Sequence, residues 1–212
     1  DPIGTARRPR SEPFRLGQEP AQSLRSRRVR LHNDDRNAQA GRSSAKFRRM
    51  ARYADDLALA HMLADTADAI AIPRFRAQDL HVKAKPDLTP VTDADTAVEK
   101  ALRATLARTR PRDGVLGEEY GATEAAAGPG SRQWIIDPID GTKNFVRGVP
   151  IWATLIALME GAEPVVGLVS APGLGRRWWA AKGHGAYAGR HTAAATPIRV
   201  SAVRRLADAS FC

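Results

Sequence analysis

With 212 residues, 43% of them apolar, the chain can form one large domain or two small ones around a real core. Its formal charge of +10 is lopsided: residues 1–49 hold 13 Lys/Arg against 5 Asp/Glu and the remaining 163 hold 20 against 18, which argues against a basic nucleic-acid face on the body of the chain. The lone cysteine, Cys212, excludes an intrachain disulfide and a cysteine-rich zinc site and suits a reducing cytoplasm, and no apolar run approaches the ~18 residues of a membrane span.

Residues 1–49 scatter Arg7-Arg8, Arg25, Arg27-Arg28, Arg30 and Arg48-Arg49 among polar residues without a sustained period, and read as a disordered Arg-rich tail. A transit segment or a nucleic-acid arm fits less well, because no amphipathic face is evident and the only aromatics are Phe14 and Phe47. Met50 opens the first periodic stretch and is read as the natural start, so the folded part is expected over 50–212.

From Tyr53 to about Phe75, Leu57, Leu59, Ala60, Leu63, Ala64, Ala67, Ile70 and Ala71 recur at helical spacing, which predicts a packing helix. His61 on it reads as a packed or surface histidine, since no second histidine stands four residues away. Residues 80–92 alternate around Pro86-Asp87 and predict a hairpin with Lys83 and Lys85 near its tip. A second helical stripe then runs through Ala97, Val98, Ala101, Leu102 and Leu106, with Thr92 or Asp93 as N-cap and Asp95 in the first turn. Capping alone would account for Asp93. Val115–Gly117 reads as a short strand ending in Glu118-Glu119, a pair that by itself is more simply a solvated loop entry. Residues 121–131 read as a mobile connection.

The stretch from Trp134 to Phe145 carries the chemistry. An apolar strand, Trp134–Ile136, delivers Asp137 at its carboxyl end, and Asp140 follows across a turn fixed by Pro138. Two carboxylates and the Ile139 carbonyl between them suit one hard cation such as Mg²⁺. Gly141 and Thr142 open a helix whose free N–H groups favour an anion such as phosphate. The plainer reading, a turn with a helix cap, stays open on these residues alone. Antiparallel strands are then expected over Pro150–Met159, Val165–Val169, Trp178–Ala181, Gly183–Tyr187 and Ile198–Val200, with Trp178 and Trp179 on opposite faces, one in a core and one under a partner helix.

Gly117-Glu118-Glu119, the run Trp134-Ile135-Ile136-Asp137-Pro138-Ile139-Asp140-Gly141-Thr142-Lys143-Asn144-Phe145, and the upstream Asp87-Leu88-Thr89-Pro90-Val91-Thr92-Asp93-Ala94-Asp95 together resemble the motifs of the inositol monophosphatase family. Their wording is most similar to the histidinol-phosphate phosphatase branch of actinobacteria, and the resemblance spans roughly Met50 to Phe211. It implies an α/β fold, a layered αβαβα sandwich of the inositol monophosphatase and fructose bisphosphatase type. It also implies hydrolysis of a small-molecule phosphate monoester with Mg²⁺, in a protein that is a homodimer at full length. By motif position, Glu118, Asp137, Ile139 and Asp140 would hold metal. Asp93 and Thr142, with Glu118, would serve catalysis by activating the attacking water. Glu118, Ile139, Asp140, Gly141 and Thr142 would meet the substrate phosphate.

Against that pattern the chain lacks the family's later Trp-Asp motif, so a phosphatase domain truncated in its C-terminal subdomain is expected, with Ser201–Phe211 as the helix and first strand of the missing part. Histidinol phosphate is the first substrate expected, inositol monophosphate the second, and a nucleotide 3′-phosphate or sugar bisphosphate the third. The alternative of another class is an inactive, tailed paralogue with a regulatory or RNA-associated role. Neither a membrane nor a nucleic acid is expected as the main partner.

Overall fold

The helical stripe that opens at Tyr53 forms α1, over residues 53–74 of a computed structural model that describes residues 53–124 and 131–210. The readings made for residues 1–49, Met50, 125–130 and the last two positions lie outside the described residues. Leu59, Ala60, Leu63, Ala64, Ala67 and Ala71 line the buried face of α1, and the small alanines let it lie close on its neighbours. Pro73 sits in its last turn.

A hairpin follows, β1 (Val82–Ala84) against β2 (Pro90–Thr92), as a two-stranded sheet separate from the main one. Thr92 then caps α2 (Asp93–Thr109). Its side chain accepts from the Asp95 backbone N–H, and the Asp95 side chain accepts in return from the Thr92 backbone N–H. Val98, Leu102 and Leu106 turn inward and join α1 in one core.

Among the described residues the main sheet has eight strands, in the order β10-β9-β8-β7-β6-β5-β3-β4. In sequence they are β3 (Gly114–Gly117), β4 (Gly121–Thr123), β5 (Arg132–Asp140), β6 (Ala153–Glu160), β7 (Glu163–Ala171), β8 (Arg176–Ala181), β9 (Gly185–Gly189) and β10 (Thr196–Ile198). Among the described residues only β3 and β5 pair in parallel; the other pairs of this sheet are antiparallel. Trp134, Ile136, Ile156, Leu158, Leu168 and Trp179 face the helices. Ile135, Leu155, Ala157, Val169 and Trp178 line an apolar depression of about 480 Å³, which Asp137 also touches. Trp179 meets His61 of α1 edge to face at 4.8 Å, so this histidine is a packing residue; burial, then the charge of Arg177, lowers its pKa.

Buried ion pairs tie the helices to the sheet. Asp56 of α1, 1% exposed, takes Arg110 at 3.2 Å and Arg132 of β5 at 2.7 Å, and Asp68 takes Arg177 of β8.

Three expectations change. The expected turn at Pro138 is a continuation of β5, whose pairing with β6 shifts register between Asp137 and Asp140. Such an irregularity is where a strand tolerates a residue without an N–H; the Pro138 carbonyl is taken by Thr154 Oγ1 at 2.8 Å. Gly121–Thr123, expected in a loop, pairs with β3 as an edge strand. Ser201–Phe211 was expected as a helix and strand, but its described part is exposed and holds only the single 3₁₀ turn Leu206–Asp208. A segment this short has no stable helix without an apolar face to bury.

Candidate active site

Parallel pairing of β3 with β5 places two acids side by side. Gly117 lies opposite Ile136, so the next residues, Glu118 and Asp137, leave the paired edge together. The shift after Asp137 lets the strand turn two further groups, the Ile139 carbonyl and the Asp140 carboxylate, toward the same end. A short helix, α3 (Thr142–Val146), follows Gly141, whose φ of 85° is a left-handed conformation that a side chain resists. Thr142 Oγ1 donates to the Ile139 carbonyl at 3.0 Å and reaches within 3.5 Å of Asp95 Oδ1.

Asp95 comes to this place from α2, and its capping box fixes it there. Its Oδ2 accepts from the Thr92 backbone N–H at 2.8 Å and from the Thr92 hydroxyl, which leaves Oδ1 for Thr142. One turn on, Glu99 is fully buried and accepts from the backbone N–H groups of Glu119 and Tyr120 at 2.7 and 3.1 Å, pinning the loop that bears Glu118. A Cβ on Gly117 would stand 2.0 Å from Glu99 Oε1, so only glycine admits this carboxylate.

The electrostatics are those of crowded acids. Burial, then the charge and hydrogen bond of Glu118 and the charges of Asp140 and Asp95, push the Asp137 pKa up to about 8. Burial also raises Asp95, against the hydrogen bonds from Thr92, and Glu118 adds to the rise. Asp137 Oδ1 is buried without a hydrogen-bond partner. Lys85, in the β1–β2 turn, sets its ammonium 2.7 Å from Glu118 Oε1 and 2.8 Å from Glu119 Oε1. No three His, Cys, Asp or Glu side chains among the described residues are already drawn together at metal-ligand spacing. The donors nonetheless fit a hard divalent cation: all are oxygens, their charges repel, and one buried carboxylate oxygen lacks a partner.

One expected catalytic residue is not brought here. Asp93 Oδ2 is held by Arg74 at 2.7 Å, and the residue of this segment that reaches Thr142 is Asp95. Helical geometry decides it, because residues at positions two apart point to different sides of α2. The other expected residues, Glu118, Asp137, Ile139, Asp140, Gly141 and Thr142, fall on this one end of β5 and the loop beside it. Three participants were missed: Asp95, Glu99 and Lys85. Thr92-x-x-Asp95 is a capping-box spacing that turns the Asp95 carboxylate back toward the helix start, and Asp95 and Glu99 share a face at i and i+4.

Comparison with known proteins places the chain. Residues 29–211 match the inositol monophosphatase family. The chain is similar to the histidinol-phosphatase of Streptomyces coelicolor, at 61% identity over 166 residues, covering 76% of this chain and 61% of that protein. It is similar also to the histidinol-phosphatase of Mycobacterium tuberculosis, at 60% identity over 157 residues, covering 74% and 59%. Among solved structures, the extragenic suppressor protein suhB from Bartonella henselae superposes with a TM-score of 0.62 at 29% identity, over 72% of this chain and 57% of that one. The chain thus spans about 60% of the length of the curated relatives it matches. The α/β fold expected from the motifs is the fold of these neighbours, and the chain belongs to the inositol monophosphatase family.

Proposed function

We propose that the chain carries the metal- and phosphate-binding half of a Mg²⁺-dependent phosphoric monoester hydrolase that acts on histidinol phosphate. The observation that carries the chemistry is the meeting of Asp95 and Thr142 beside the carboxylates of Glu118, Asp137 and Asp140. The substrate rests on the relatives at 60–61% identity, whose names are histidinol-phosphatase.

Glu118, Asp137, Asp140 and the Ile139 carbonyl are the residues that would hold Mg²⁺. When bound, the cation supplies positive charge to the phosphate and makes nearby water easier to deprotonate. Thr142 and Asp95 act on that water: the hydroxyl positions it and the Asp95 carboxylate, its other oxygen fixed by Thr92, accepts its proton. The water oxygen bonds to phosphorus, the bond to the alcohol oxygen breaks, and the alcohol leaves with a proton from solvent. The N–H groups of Gly141 and Thr142, at the start of α3, face phosphate oxygens and stabilise the charge that develops there.

The test is inorganic phosphate release from histidinol phosphate and inositol monophosphate, with and without Mg²⁺, by this chain and by a version extended to the length of its relatives. Release from histidinol phosphate that requires Mg²⁺ and exceeds that from inositol monophosphate is the expected result. No release by the extended protein from either substrate would contradict the reading.

A further inference from the structure

Lys85 is the only cationic side chain seen hydrogen-bonded to Glu118 among the described residues, and it takes Glu118 and Glu119 together. We propose that Lys85 is a tethered counter-cation of the carboxylate cluster, which must release Glu118 before a divalent cation takes it and so sets the metal concentration at which the site fills. This rests on the reading of Glu118 as a metal ligand.

The hairpin presents Lys85 in a defined way. In its turn the Lys85 N–H donates to the Thr89 carbonyl at 2.8 Å, and the Leu88 N–H donates back to the Lys85 carbonyl at 2.9 Å. Asp87 Oδ1 accepts from both the backbone N–H and the hydroxyl of Thr89, closing the turn a second time. The hairpin forms a small sheet of its own, so it can move without breaking a strand pairing of the main sheet. At the other end of the contact, the two acceptors differ. Glu118 is 43% exposed at its side chain and stands beside Asp137, whereas Glu119 is 7% exposed and lies outside the metal-binding set. Lys85 therefore has a place to stay when it gives up Glu118: only one of its two hydrogen bonds competes with metal.

The charges of both carboxylates favour the ammonium. Partial burial lowers the Lys85 pKa, but the hydrogen bonds and charges of Glu118 and Glu119 outweigh it and hold the pKa above the ordinary value. Lys85 thus remains charged across the whole range in which the enzyme would work, and its competition with metal is a matter of position rather than of protonation. A hydrated magnesium ion must displace a charge that is already covalently attached nearby, which weakens its apparent affinity as any competitor does.

Calorimetric titration of the full chain with Mg²⁺, for the wild type, Lys85→Met and Lys85→Gln, tests this. Both variants should bind Mg²⁺ about threefold to tenfold more tightly, a range between an exposed ion pair and a charge-assisted hydrogen bond. In EDTA each should melt lower than the wild type, and saturating Mg²⁺ should raise its melting temperature by more. Lys85→Gln keeps an amide donor for Glu119 and serves if Lys85→Met does not fold in EDTA. Unchanged or weaker Mg²⁺ affinity in the variant that folds overturns the proposal. A variant that loses inorganic phosphate binding while its Mg²⁺ affinity stays the same also overturns it, and makes Lys85 a phosphate ligand. Absence of Mg²⁺ binding in the wild type and both variants overturns the metal reading and this proposal with it.

Discussion

Thr142 Oγ1 stands within 3.5 Å of Asp95 Oδ1, although 47 positions separate the two residues in sequence. The contact exists because a capping box holds the other Asp95 oxygen and because Gly141 turns the chain so that Thr142 begins α3. If Asp95 accepts the proton of the attacking water, Asp95→Asn should lower the phosphatase activity of the full-length protein by about 10²- to 10⁴-fold. Asp93→Asn should leave activity within about twofold and cost less than about 1 kcal/mol in denaturant unfolding, because its pair with Arg74 is partly exposed. Steady-state kinetics on the two variants, side by side, separates them; equal losses would contradict the assignment.

The crowding of Asp137 has a pH signature. Its carboxyl is raised from 3.8 to about 8 in the folded chain, so the folded state holds a proton that the unfolded state has released. Stability from this group is therefore full below pH ~4 and is lost as pH rises toward 8. In EDTA the melting temperature should fall over that window, and Asp137→Asn should flatten the fall. Mg²⁺ uptake near pH 7 should release close to one proton, visible as a dependence of the binding enthalpy on the buffer's ionisation enthalpy. A binding enthalpy that is the same in every buffer would count against it.

Gly117 is where Glu99 passes closest to the strand. Because an added Cβ would lie 2.0 Å from one oxygen of the fully buried Glu99 carboxylate, whose two oxygens each already accept a backbone N–H, Gly117→Ala must push Glu99 aside. We expect a loss of about 1–3 kcal/mol in denaturant unfolding. Mg²⁺ affinity should fall as well, since the loop bearing Glu118 loses its anchor. Unfolding like the wild type would show that the site relaxes more easily than its burial implies.

Asp56 tests the framework rather than the site. It is 1% exposed and neutralises Arg110 and Arg132 at once, so Asp56→Ala takes the carboxylate from Arg110 and leaves the largely buried Arg132 with Asp113 at 3.3 Å. The expected cost is about 3–5 kcal/mol, measured by denaturant unfolding, with Mg²⁺ affinity unchanged in the variant where it remains folded.

Much of this arrangement is written locally in the sequence. The stripe from Leu57 to Ala71 and the alternation around Pro86-Asp87 gave α1 and the hairpin, because each depends on periods within a single element. The acids of Glu118 and Asp137 could be found as strand ends. What local pattern could not decide was which acid near the start of α2 faces them. That choice depends on the rotation of a helix against a sheet, and Asp93 and Asp95 are equally good first-turn residues. Pro138 misled for a related reason: a proline between two strand-like segments reads as a turn, yet a register shift lets β5 absorb it. Lys85 was visible as a hairpin-tip lysine, but its partners lie 33 and 34 positions away and only folding brings them together. The substrate alcohol is not legible in these residues, because the groups gathered at this site are those proposed to meet cation, phosphate or water.

The most direct measurement is a calorimetric Mg²⁺ titration of this chain beside its Asp137→Asn variant. Asp137 is the carboxylate with Glu118, Asp140 and Asp95 all contributing to its raised pKa, and it carries a buried oxygen without a hydrogen-bond partner. The account predicts saturable binding by the wild type and at least about tenfold weaker binding by the variant, since losing even a hydrogen-bond partner of a metal ligand costs about that much. Equal affinity in the two proteins, or no binding by the wild type, would contradict the claim that this acidic strand end is a metal site.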